Sequence, residues 1–245
     1  FAFNDLVDLP IEVGQINALI RTTDQQSNGT VVLAMGNTDT FSLYIDRAMV
    51  STASGADLTT TSNKVVGQIY PLKGGYGCQD KLSIIRKHGK VFYWDRISQV
   101  YVRYSSEGLE SLEKKMRSYF NDKTSVKSAF YDPYYDIIFI NYSNDSLQLK
   151  TLAYSDRLKR YISEFDVTFT GSFYIGNHAY IFSEAEAGQP TQKIKLHETR
   201  TGTNYGSFFD IETVAKIKLT SNSILPQNVG HIQIKTNNYL EFPSF

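Results

Sequence analysis

One cysteine, one tryptophan and no surplus of charge of either sign: several protein classes are excluded by what this 245-residue chain has little of. A single thiol, Cys78, cannot form an intrachain disulfide, so the fold must be held by its core. In the Gly-rich turn "GGYGCQD" it reads as a buried, inert group. Lysine plus arginine (25) equals aspartate plus glutamate (25), which leaves no broad footprint for nucleic acid or an anionic membrane. No apolar run approaches the roughly 20 residues of a membrane-spanning helix. Phosphate-loop, dinucleotide and nucleophile-elbow signatures are absent, and "GGYG" has no helix after it to bind an anion. His88, His178, His197 and His231 have no partners at metal-ligand spacing. No catalytic, cofactor-binding or metal residue is therefore assigned, and no cofactor or enzymatic activity is expected.

Aromatic residues are plentiful, with 17 tyrosines and 15 phenylalanines, and they favour pleated, half-buried surfaces. The length allows one large all-β domain or two small ones. The chain starts at Phe1 and ends on the aromatic "YLEFPSF", which reads as an internal piece of a longer polypeptide.

Strand-like runs dominate. "TVVLAM" (30–35) and "FSLYI" (41–45) flank a Gly/Asn/Asp elbow suited to a hairpin. "STASGADLTTTSN" (51–63) is small and polar, and reads as a loop. "KVVGQIYPL" (64–72), "KLSIIRK" (81–87), "KVFYW" (90–94) and "QVYVRY" (99–104) follow as strands, with a tight "HG" turn at 88–89. Later strands are "SAFYD", "DIIFINY", "LQLKTLAY", "RYISEF", "GSFYIG", "HAYIFS" and "KIKLHET".

One segment changes period. From Ser106 to Asn121 the apolar residues Leu109, Leu112, Met116, Tyr119 and Phe120 share one face of a helix, and this predicts an amphipathic helix over about 106–121.

Three aromatic hairpins begin at Val91, Ile137 and Ala179, spacings of 46 and 42 residues, each preceded by another short strand. Repeats of this length and strand content are the pattern of a β-propeller, and a regular β-sandwich is the alternative. The pair at 30–45 reads as a fourth, poorer copy. Trp94 then has a structural role, as a large side chain buried between repeats. From Phe208 the texture changes to longer alternating strands without aromatic elbows. The expected organisation is a propeller-like segment over 1–207 and part of a second β subdomain over 208–245.

Some propellers are glycosidases with paired acids. Asp46, Asp95, Asp132, Asp136 and Glu184 lie at strand ends or elbows, where carboxylates ordinarily accept backbone hydrogen bonds. The basic stretches "RKHGK" (86–90) and "DRLKR" (156–160) read as solvated hairpin faces.

The stretch "GYGCQDKLSIIRKHGKVFYWDRISQVYVRYSSEGLESLEKKMRSYF" resembles the tail hub or nozzle ("muzzle") proteins of short-tailed, crAss-like bacteriophages. The shared pattern is a Gly-Cys turn before a Ser-Ile strand, then Val91 to Asp95, Val102 to Gly108, and Met116 with Tyr119-Phe120. "AFYDPYYDIIFINY", "TLAYSDRLKRYISEFD" and "NYGSFFDIETVAKIKLTSN" are similar too, so the resemblance spans about residues 64–225. It implies an all-β structural virion protein, a propeller leading into a platform domain. That protein would be a subunit of a homo-oligomeric ring, commonly a hexamer, around the DNA exit channel. Implied partners are other tail proteins and DNA that passes without sequence-specific binding. The ring would gate ejection of the genome and of cargo proteins, in a virion made in the bacterial cytoplasm. The alternative is a glycan-active or glycan-binding propeller.

Overall fold

The computed structural model describes residues 8–22, 30–51, 57–112, 117–144, 146, 149–165, 168–176, 178–183, 194–196, 207–208 and 211–212. It is mainly β. The strands form successive antiparallel sheets in which each strand pairs with the next in sequence.

Sheet 1 holds β1 (Ile16–Thr22), β2 (Thr30–Gly36), β3 (Thr40–Ser51) and β4 (Asp57–Pro71). Sheet 2 holds β5 (Ile85–Lys87), β6 (Lys90–Asp95), β7 (Val100–Ser105) and β8 (Gly108–Ser111). Sheet 3 holds β9 (Lys123–Asp132), β10 (Ile137–Asn144), β11 (Leu149–Ser155) and β12 (Arg160–Phe165). Sheet 4 has β13 (Phe169–Ile175), β14 (His178–Ser183) and β15 (Ile194–Leu196). A last pair is β16 (Ser207–Phe208) and β17 (Ile211–Glu212); the rest of the expected second subdomain lies outside the described residues. β6 and β10, the first strands of two recurring hairpins, sit in separate sheets, as the spacing predicts.

Two expectations are corrected. The polar run 57–63 is not loop but the first half of β4, paired with β3 from Arg47↔Thr61 to Ser51↔Asp57. Its threonines are β-branched, and that preference outweighs their polarity. The helix expected over 106–121 is also wrong in extent. Gly108–Ser111 is β8, hydrogen-bonded to β7, and among the described residues of the segment only α1 (Arg117–Phe120) is helical. Met116 lies outside the described residues. In the smaller case of 81–87, a 3-10 turn at Lys81–Ser83 precedes the short strand.

Sheets stack because strand alternation sends odd and even residues to opposite neighbours. On β6, Val91 and Tyr93 join Leu33 and Met35 of sheet 1, with Cys78 and β7 residues Val100, Val102 and Tyr104. Phe92 and Trp94 point the other way, into a core with Tyr101, Ile138, Ile140, Leu152, Tyr154 and Phe120. β10 repeats the arrangement. Ile138, Ile140 and Tyr142 face sheet 2, while Phe139 meets Phe169, Ala179 and Ile181 of sheet 4. Each such side chain contributes about 1.5–3 kcal/mol on burial.

The Gly-Cys turn closes the seam between sheets 1 and 2. The Cys78 N–H donates to Gly36 O (2.8 Å), and Asn17 donates to Cys78 O (2.8 Å). Burial pushes the fully enclosed Cys78 thiol up to about 12, which makes it unreactive at neutral pH. Gly77 runs so close to sheet 1 that a Cβ there would lie 2.2 Å from Asn37 O and 2.4 Å from its carbonyl carbon. Both are backbone atoms and cannot swing aside. Gly77→Ala is therefore expected to cost about 1–3 kcal/mol by forcing the seam open. Urea unfolding of the variant checks it, and an unchanged midpoint would mean that the two sheets do not approach this closely.

Candidate functional site

Three hairpin turns share one design. Asp95–Gln99, Asp132–Asp136 and Ser155–Lys159 each end on a left-handed residue, at φ 54°, 58° and 50°. The first residue of each caps the turn. Asp95 Oδ1 accepts from Ile97 N (3.0 Å), and Asp95 Oδ2 accepts from the Ser98 hydroxyl (2.8 Å). Asp132 Oδ1 accepts from Tyr134 N (2.8 Å) and Tyr135 N (3.2 Å), and Ser155 Oγ accepts from Leu158 N (3.3 Å). Two of the candidate acids are thus turn-formers. Asp46's side chain and Glu184 lie outside the described residues.

The remaining candidate, Asp136, sits in a different setting. Where sheets 2 and 3 meet, the β5–β6 turn and the turns after β9 and β11 enclose an open cleft of about 390 Å³. Its lining is Lys87, His88, Lys90, Tyr131, Pro133, Asp136, Asp156 and Arg157. "RKHGK" and "DRLKR", far apart in sequence, meet here. Neither is a simple solvated face, because Lys87 and Asp156 are buried.

Asp156 is the centre of the arrangement. It reaches from sheet 3 to Lys90 (2.7 Å), Arg103 (3.1 Å) and Lys87 (3.7 Å) of sheet 2. Lys87 also pairs with Asp136 (2.6 Å), and Arg103 pairs with Glu110. Burial disfavours charge on Asp156, but Lys90, Arg103 and Lys87 outweigh it and hold the carboxyl below its ordinary range. For Asp136 burial is likewise outweighed, by Lys87 and by the Tyr131 hydroxyl, which donates at 2.8 Å. Burial, together with Asp136, pushes the Tyr131 phenol well above its usual range.

The ion pairs bear on what the cleft can do chemically. A glycosidase pair needs one carboxyl raised enough to remain an acid near neutrality. Here neighbouring cations hold both carboxyls low, which fits an ion-paired latch between the sheets. Among the described residues no group of three or more His, Cys, Asp or Glu converges as a metal site.

Sequence reasoning found Asp136 but missed Asp156, Lys87, Lys90 and Arg103. The available signal was weak: "SDRLK" repeats the capped-turn pattern of "DRISQ" and "DPYYD", which placed Asp156 at a turn without pointing to its cations.

At the opposite end of the same seam, Asp80 Oδ2 accepts from Val126 N (2.9 Å) and the other oxygen pairs with Arg96. The two sheets are therefore latched at both ends by carboxylates reaching in opposite directions.

The family model described as crassvirus muzzle protein matches residues 1–185. The chain belongs to that family. It is a structural protein of the phage virion. A search of curated proteins finds no match. The muzzle match runs through sheets 1 to 3 and all of β14, so it includes the latched seam and its cleft. No helix among the described residues of this muzzle chain is long and apolar enough to cross a membrane.

Proposed function

We propose that this muzzle chain supplies the propeller-like part of a tail hub or nozzle subunit. In this reading the four-stranded sheets are blades, closing around a propeller axis together with sequence beyond those described. The subunits form a homo-oligomeric ring of six copies around the DNA exit channel. The ring holds the channel shut, contacts other tail proteins, and opens to pass the genome and packaged proteins. The expectation that the segment 214–236 lies nearer the ring contacts than the propeller tips falls outside the described residues.

The observation that carries this reading is the serial stacking, in which β6 and β10 each serve two different cores. Shared cores join sheets 1 to 4 in series, which suits a continuous scaffold. The candidate acids whose side chains are described are occupied in turns and ion pairs, which fits a scaffold better than a catalyst. Zero net charge also suits a channel that must release DNA, since each phosphate contact adds affinity.

The expected result is a closed ring of six copies when full-length protein is weighed by native mass spectrometry and imaged in particles by electron microscopy. A stable monomer that is absent from virions would overturn the proposal.

A further inference from the structure

We propose that the outer half of the β3–β4 hairpin is an assembly arm, whose strands pair edge to edge with the same arm of neighbouring copies. This rests on the ring proposed above and names the contact that closes it.

Sheet 1 narrows abruptly. β2 accompanies β3 only from Met35↔Thr40 to Thr30↔Ile45. Beyond that point β3 and β4 run on together, from Arg47↔Thr61 to Ser51↔Asp57, with no third strand among the described residues. The register jumps at the junction: two steps along β3, from Ile45 to Arg47, match five along β4, from Val66 to Thr61. An irregularity of this kind bends a strand away from its sheet, which sets the ribbon apart from the rest of sheet 1. Over Asp46–Ser51 the ribbon extends roughly 20 Å, at 3.3–3.4 Å per residue.

A two-stranded ribbon is marginal in water, where three or more strands are needed for independent stability. Alternate residues of each strand turn their N–H and C=O groups away from the partner strand. The ribbon therefore carries two rows of open backbone groups, one on β3 and one on β4. It gains most from a second strand that satisfies those rows.

The sequence leaves the rows unprotected. Exposed edges are ordinarily blunted with lysine, other charges or proline. Residues 48–63 contain no proline and a single charged residue, Asp57, in a chain that is 20% charged. Nothing in that composition repels a second copy or selects a charged partner.

The two rows are different surfaces, so the contact is heterologous: β3 of one copy lies against β4 of the next. All pairs are then antiparallel. Repeated around a ring, the contact closes and removes every open edge, as in a β-barrel with one hairpin from each subunit.

The test uses the full-length chain and a variant in which Ala48–Thr60 is replaced by Asn-Gly, a tight hairpin turn that leaves Arg47 opposite Thr61. Native mass spectrometry should show the parent as a ring and the shortened variant as a monomer, with the melting temperature of the dissociated chain unchanged. Hydrogen exchange gives a second reading that needs no variant. In the ring, amides across 47–51 and 57–61 should all exchange at least about tenfold more slowly than in the dissociated parent. A shortened variant that still forms the ring would overturn the arm and leave the ring itself standing. Ring amides that stay fast at every second position of the ribbon would overturn it too. A parent found only as a monomer would overturn both the ring and its arm.

Discussion

Asp156→Asn is expected to destabilise the protein by about 3 kcal/mol at neutral pH, because it leaves buried Lys87 and Arg103 without their shared counter-charge. For a chain of this size that is a fall in melting temperature of roughly 6–12 °C. The pH dependence adds a second signature. The folded Asp156 titrates below the ordinary aspartate value of about 3.9. Its stabilisation is therefore complete above that value and lost as pH falls through the lower folded one. The parent should weaken on acidification below about pH 4. The asparagine variant should lose less over the same range, keeping only the share that belongs to Asp136. Urea melts at neutral and acidic pH measure both effects, and a variant as stable as the parent at neutral pH would remove the ionic latch from the account.

Trp94→Ala should be as damaging, at about 3–5 kcal/mol. The indole is 1% exposed between sheets 2 and 3, tilted against Phe120 at a centroid distance of 6.0 Å. Trp94→Phe should cost far less, about 1.5 kcal/mol at most. The buried Nε1 finds no acceptor among the described residues, so phenylalanine gives up no hydrogen bond and removes an unsatisfied donor. Chemical denaturation of both variants checks the ordering. Equal losses would mean that the indole nitrogen has a partner after all.

Much of the fold is legible in the sequence because the aromatic hairpins obey strand alternation strictly. Val91, Phe92, Tyr93 and Trp94 are all apolar, a run that makes sense only if both faces of β6 are covered, and they are. The helix over 106–121 misled for a specific physical reason. Leu109 and Leu112 are three apart, which is close to one helical turn and also an odd step along a strand. In the structure they face opposite ways, Leu109 toward the seam with sheet 1 and Leu112 toward sheet 3. Spacing alone cannot separate those cases. The latch was illegible for another reason. Arg103 pairs with Asp156 across two sheets, and nothing local to either residue encodes that meeting. Capping aspartates are the opposite case: Asp95 and Asp132 act within three residues of themselves and could be read directly.

The double-faced strands also govern where this chain can change length. Adding one residue inside Val91–Trp94 would exchange the side chains offered to the two seams, so that tryptophan and phenylalanine would arrive where valine and tyrosine fit. Both cores would be mismatched at once. The same residue added at a turn such as Asp95–Gln99 would leave every partner in place. Diversity in this lineage should therefore accumulate in the turns, the cleft-forming ones among them, while the strands between keep their length: the surface is free to drift in register with whatever it meets, and the stack behind it is not.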